Sequence, residues 1–154
     1  MNNMMTDLKL VDNSEYYDLS LNDDGSLAVT DGLNSSLIVS FFTDARAEET
    51  EVSNPFYRRG WWGNLFTQDD QPEYGSKIWL IDQAIMSDDT VNDAISYVQQ
   101  AYDWLLSQNY ADQVNVNAIS NFNSLIIRVK IIKNSEIISQ KAYNIWQNTI
   151  LEIL

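Results

Sequence analysis

The run Arg58-Arg59-Gly60-Trp61-Trp62-Gly63-Asn64-Leu65-Phe66 gathers the chain's most chemically capable side chains into one short stretch. It holds two of nine basic residues, two of five tryptophans and two of five glycines. Paired guanidiniums can grip carboxylates bidentately. Trp61 and Trp62 can act as rigid anchors, with Gly60 and Gly63 permitting close backbone approach. That is the chemistry of recognising a protein surface. An aromatic loop folded back onto its own core is the alternative, and composition leaves both open. One tryptophan is expected to face the core and the other a neighbour.

Bond-making chemistry has little to work with. There is no cysteine, so disulfides, thiolate metal sites and cysteine nucleophiles are excluded. There is no histidine, which removes the commonest general base and metal ligand. The carboxylate pairs Asp23/Asp24, Asp69/Asp70 and Asp88/Asp89 each read as turn or helix-start residues. Asp23-Asp24-Gly25 lacks the spaced acids and closing Glu of a calcium loop. No phosphate loop, dinucleotide fingerprint or serine elbow occurs. Two carboxylates across a cleft suffice for glycoside cleavage, so a peptidoglycan hydrolase stays as a weak alternative, with no pair marked for it. The expectation is a protein that is not an enzyme, with no cofactor and no metal.

Charge is large and uneven. The net charge is −13. Residues 1–112 carry twenty acids against five bases, a net of −15, and residues 113–154 carry two against four, a net of +2. Such a surface argues against nucleic-acid binding, which needs a basic face, and suits orientation among protein partners. A plain solvated acidic surface fits equally, and an acidic binding protein or DNA mimic is the second function class. The N-terminus lacks the basic and apolar regions of a secretory signal, and no apolar run approaches a membrane span. A soluble protein made in the cytoplasm, without membrane insertion, is expected.

The elements that must position these residues follow from periodicity. Tyr16–Leu21 and Ser26–Thr30 alternate with period two around Asn22-Asp23-Asp24-Gly25, predicting a hairpin. Leu33, Leu37, Ile38, Phe41 and Phe42 fall at helical spacing, with Asp31 or Asn34 as N-cap. Residues 44–75 show neither period, and a segment that long is usually functional or ordered by a partner. Lys77–Ile85 reads as a short, largely buried helix. Ser87-Asp88-Asp89-Thr90 starts an amphipathic helix through Val91, Ala94, Ile95, Val98, Ala101, Tyr102, Leu105 and Leu106, with Tyr97 and Trp104 on its flanks. The period then returns to two. Val114, Val116 and Ala118 share a face, as do Leu125, Ile127, Val129 and Ile131, with Arg128 and Lys130 opposite. Ile137–Trp146 makes a third strand. The aliphatic tail, residues 148–154, docks on its own core or on a neighbour. The fold class is α+β: N-terminal β-hairpin, central helices with a long irregular loop, C-terminal antiparallel β-meander. One domain over 1–154 is expected, with 1–15 and 147–154 as terminal extensions.

Taken in order, five motifs resemble a known family. They are Tyr17-Asp18-Leu19-Ser20-Leu21 with Asp24-Gly25, Ser40-Phe41-Phe42-Thr43-Asp44, the Arg58–Gly63 run, Gly75-Ser76-Lys77-Ile78-Trp79-Leu80, and the amphipathic helix ending Trp104-Leu105. Over roughly Tyr16–Trp146 the chain is similar to the phage Mu-type baseplate protein 46 family, itself similar to the sheath-initiating baseplate wedge proteins of contractile tails. The resemblance implies a structural virion protein of the tail baseplate, assembled in the host bacterial cytoplasm, in a phage, prophage, tailocin or related device. Implied partners are other baseplate wedge proteins, tail tube or hub proteins, and the first ring of sheath subunits, joined by strand exchange. Thr43-Asp44-Ala45-Arg46 stands where the wider wedge family has a Glu-Pro-Arg motif, and lacks the proline. The candidate partner-binding residues are therefore Asp44, Arg46, Arg58, Arg59, Trp61, Trp62, Arg128, Lys130 and Trp146.

Overall fold

The Asn22–Gly25 turn forms where its residues predict. Gly25 takes the positive φ of +81° that the turn requires. Its N–H donates to Asn22 O at 2.9 Å, and Asp24 Oδ1 accepts from Ser26 N at 2.9 Å and Ser26 Oγ at 2.6 Å. A computed structural model describes residues 6–13, 16–67, 73–82, 84–121, 123–147 and 149–152. Its chain divides into two compact units, one through Val39 and one from Ser40.

In the first unit the expected hairpin keeps its turn and loses most of its ladder. Near the turn Leu21 and Leu27 bridge, with Asn22 N donating to Ser26 O and Ala28 N to Ser20 O, each at 2.8 Å. Further out, each arm pairs with the segment before it. β1 (Thr6–Leu8) lies antiparallel to β4 (Val29–Asp31), and β2 (Leu10–Asp12) to β3 (Tyr17–Leu19). Lys9 joins both arms at the crossing, donating to Ala28 O and accepting from Ser20 N, each at 2.9 Å. Residues 6–12, within the N-terminal extension, supply half of this pairing. Three-residue strands carry no readable period, which is why they escape a pattern search. The first turn of α1 (Asn34–Phe42) is likewise served from β1. Asp7 Oδ2 accepts from Ser36 N at 2.8 Å and Ser36 Oγ at 2.7 Å, so an orphan helix donor goes to a remote carboxylate, not to a neighbour in sequence.

In the second unit α2 (Asp88–Ala101) starts as expected. Ser87 Oγ accepts from Thr90 N at 3.2 Å, with Asp88 and Asp89 in the first turn. Ala94, Val98, Tyr102 and Leu105 are fully buried. The helix does not run unbroken to Leu106: at Tyr102 the backbone turns to φ −110° and α3 (Asp103–Ser107) begins anew. Tyr102 is held inward by its hydroxyl, 2.9 Å from that of Tyr143. The rotation leaves Leu106 exposed and buries Trp104, whose Nε1 donates to Ser40 Oγ at 3.1 Å. Lys77–Ile85 is also shorter than expected. A 3-10 helix covers Lys77–Ile81, only Ile81 of it is buried, and Ile85 is exposed.

The meander is β5 (Gln113–Asn121), β6 (Ser124–Lys133) and β7 (Glu136–Asn144), extended by β8 (Thr149–Glu152) in the order β5-β6-β7-β8. Leu125, Ile127, Val129 and Ile131 are buried on one face, as their alternation predicts. The third strand stops at Asn144, and Trp146 falls in the turn beyond it. The described part of the tail docks on its own sheet, pairing with Lys141–Asn144. Phe41 stacks on Tyr143 with ring centroids 3.8 Å apart and planes at 10°. Both rings are buried, and their contact joins the end of α1 to the sheet. Phe41→Ala is expected to cost about 3–5 kcal/mol of unfolding free energy, measured as a lowered denaturation midpoint against wild type.

Candidate partner-binding site

Thr43–Ala47 leaves α1 as extended chain, and the long loop folds onto it from both sides. On one side Ser76 N donates to Thr43 O at 2.8 Å and Ala45 N to Ser76 O at 3.0 Å. On the other, Trp61 N donates to Asp44 O at 2.9 Å and Ala47 N to Arg58 O at 3.0 Å. Trp79 Nε1 takes the remaining Ala45 carbonyl at 2.9 Å. Gly75 makes the approach possible: at φ +120°, an added Cβ there would sit 2.8 Å from both Thr43 O and Ala45 N.

Both arginines of the run are engaged inside the chain. Arg58 Nε donates to Ala47 O, and its guanidinium lies 3.4 Å from Glu49 and 3.7 Å from Glu48, with 19% of the side chain exposed. Arg59 Nη1 lies 3.2 Å from Asp44 Oδ2, and its Cζ sits 4.7 Å above the Trp79 ring. Arg59 adopts φ +47° and Gly60 φ +107°. A Cβ on Gly60 would meet Arg46 Cβ at 2.9 Å, so the backbone crosses directly over Arg46. Arg46 itself is exposed and carries no ion pair among the described residues. Asp82 stands near the Arg59–Asp44 pair. Desolvation pushes its carboxyl above the usual value of 3.8, Arg59 opposes that rise and Asp44 adds to it.

Neither tryptophan faces the core as expected of one of them: Trp61 is 41% exposed and Trp62 69%, because the loop packs onto Thr43–Ala47 through its backbone and not through its rings. Trp61 turns its ring back over Gly63, where an added Cβ would lie 2.4 Å from its ring carbons, and meets the edge of Tyr74 at 6.4 Å. Trp62 opens a 3-10 helix, Trp62–Phe66, whose side chains point outward. Trp62, Leu65 and Phe66 are 69%, 77% and 76% exposed, and the Trp62 and Phe66 rings meet edge-on at 6.0 Å. Asn64 holds the turn by donating from Nδ2 to Tyr74 O at 2.7 Å and accepting from Tyr74 N at 3.0 Å. An aspartate there would keep the acceptor and lose the donor. Phe56 and Tyr57, in a second short turn, are more than two-thirds exposed.

The structure thus brings Asp44, Arg46, Arg58, Arg59 and Trp61 together. Arg128 and Lys130 stand on β6, on the face opposite the core, and half-buried Trp146 lies in the turn after β7. Among the described residues no hydrogen bond, ion pair or ring contact ties these three to the loop cluster. Phe56, Tyr57, Leu65 and Phe66 were not among the candidates. Their signal is the recurrence of large apolar residues in a segment with no helical or strand period.

The loop thus presents an outward aromatic turn on a base whose arginines are paired with its own carboxylates. The model for the family described as "Phage protein GP46" matches residues 33–137. The chain is 34% identical over 123 residues to "Mu-like prophage FluMu protein gp46" of Haemophilus influenzae, covering 80% of this chain and 83% of that one. It is 31% identical over 116 residues to "Baseplate protein gp46" of Escherichia phage Mu, covering 74% and 77%. The chain belongs to the phage protein GP46 family.

Two outcomes follow from this geometry. Gly63→Ala is expected to displace the Trp61 ring, read as a changed tryptophan emission maximum with far-UV circular dichroism retained. For Asp82 the folded value lies above the unfolded one, so its contribution to stability is present below the unfolded pKa and lost as pH rises through the folded one. Asp82→Asn is therefore expected to melt above wild type near neutral pH, with the gap closing in melts run below pH 3.8.

Proposed function

We propose that this chain is a structural subunit of a phage tail baseplate, a reading supported by its similarity to the baseplate protein gp46 of phage Mu. It docks onto neighbouring wedge subunits through Trp62, Leu65 and Phe66, and its C-terminal sheet receives strands from the first ring of sheath subunits. The exposed aromatic turn carries this reading. Burying each of those side chains contributes about 1.5–3 kcal/mol, and three clustered together form an anchor of the kind that dominates interface energetics. The arginines serve the turn from beneath: by neutralising Glu48, Glu49 and Asp44 they hold the loop in shape before a partner arrives. Arg46, exposed beside Gly60, is the cation of the loop left for a partner carboxylate.

Strand receipt is supported by the sheet's edge. β8 covers only Lys141–Asn144, so Glu136–Gln140 has no outer neighbour among the described residues. Ile137 and Ile138 are about half exposed there. An open edge flanked by apolar side chains is a template for an added strand. Virion location, in the baseplate of a contractile tail, follows from this role.

The test replaces Trp62, Leu65 and Phe66 with alanine together. Because these side chains are exposed, the variant is expected to melt like wild type while contractile particles fail to assemble in a complementation assay. Wild-type yields of contractile tails from the triple variant would remove the aromatic turn from the interface.

A further inference from the structure

We infer that the solvent-side face of the β5–β7 sheet receives an acidic surface of a different subunit, on Arg128 and Lys130; this rests on the baseplate reading above. Arg58, Arg59, Lys77 and Lys133 are in internal ion pairs among the described residues. Arg128 and Lys130 have none among the described residues. They occupy alternate positions of the central strand β6, on the face turned away from Val129 and Ile127.

No acid shares that face among the described residues. Register sets Asn117 and Ala142 on either side of Arg128, and Asn115 and Gln140 on either side of Lys130. The sheet's own acids, Glu136 and Glu152, stand at register positions opposite Lys133 and Lys141 instead. Two unpaired cations without a neighbouring carboxylate are unusual in a chain of net charge −13. Beside Lys130 the surface opens into a groove of about 400 Å³, lined by Gln99 of α2 together with Val114, Asn115, Val116 and Asn117. An ammonium and three amides are the donors that a carboxylate needs. Exposed Ile119 and Leu151 on flanking strands offer apolar contact around that polar centre.

The occupant is therefore a protein surface bearing Asp or Glu beside aliphatic side chains. Nucleic acid fits poorly, because two cations neutralise too few phosphates and the rest of the chain repels them. A second copy of this chain also fits poorly, because each copy carries the full −13 and like net charges keep copies apart. A face with no acid among the described residues gives an acidic partner a preferred direction of approach, which fixes orientation as well as contact.

Carbodiimide cross-linking of purified tail particles tests this, since it joins a lysine to a carboxylate in direct contact. Mass spectrometry is expected to find Lys130 joined to an Asp or Glu of another polypeptide. The internal links Lys77–Glu51 and Lys133–Asp112, both spanning 2.9 Å, report that the fold is intact. R128E/K130E is expected to melt like wild type and to enter particles about tenfold less, while K130R enters normally. Control links present with Lys130 unlinked, a Lys130 link to a second copy of this chain, or normal entry of the charge-reversed variant would each overturn the inference. Absence of the chain from purified tails would instead remove the baseplate reading on which it rests.

Discussion

The second unit turns on five residues of extended chain, Thr43–Ala47, whose backbone groups are shared among three other segments. Thr43 O and Ala45 N bond Ser76, Asp44 O bonds Trp61, Ala45 O bonds the Trp79 indole, and Ala47 bonds Arg58 through both N–H and carbonyl. A buried peptide group left unpaired costs about as much as a lost hydrogen bond, so each loop segment is pinned by the demand of this strand. Ala47 is fully buried, and any larger side chain would force the loop away. The long segment after α1 is thus a folded layer built on one strand without becoming a sheet. It has no period because its partners come from Arg58, Trp61 and Ser76, not from one regular neighbour.

That origin decides what the sequence makes legible. The centre of the meander is readable, because Leu125, Ile127, Val129 and Ile131 alternate with Arg128 and Lys130 over a full strand and tertiary packing obeys the same period; the end of β7 and the added β8 are not. The start of α2 was readable from Ser87-Asp88-Asp89, since a cap is a local event. The break at Tyr102 was not: no glycine or proline marks it, and its cause is a hydroxyl contact with Tyr143, forty-one residues away. β1 and β2 were missed for a related reason. Three-residue strands gain their stability from Lys9 bonding both Ala28 and Ser20, a contact with no footprint in spacing. In the candidate site the Arg-Arg-Gly-Trp-Trp run marked the right segment. Which groups faced outward depended on the Glu48, Glu49 and Asp44 carboxylates, and their pairing is invisible in one dimension.

Internal pairing also changes the meaning of the charge asymmetry. Residues 1–112 are strongly acidic, and Arg58, Arg59 and Lys77 among their five cations are paired with acids of the same loop, so little positive charge is left around the aromatic turn. The outer sheet face has the opposite character with only two cations, because no acid shares it. On the proposed reading, a partner approaching along either surface would meet one sign of charge, and a mis-docked orientation the other. Net charge alone would describe a uniformly repulsive protein. The distribution describes one with two distinguishable faces.

Leaving Trp62, Leu65 and Phe66 in water is a liability that this arrangement contains. A short turn bearing three large apolar side chains invites non-specific association, and a flexible one would also collapse onto itself. Asn64 prevents the collapse by clamping the turn to Tyr74, and the Trp61 ring fills the space over Gly63 from behind. The surplus of acids keeps copies of the free chain apart until a complementary surface is present. Rigid presentation lowers the entropy lost on docking. In the proposed interface, the same ion pairs that make the arginines poor clamps for a partner would therefore make the tryptophan beside them a better anchor.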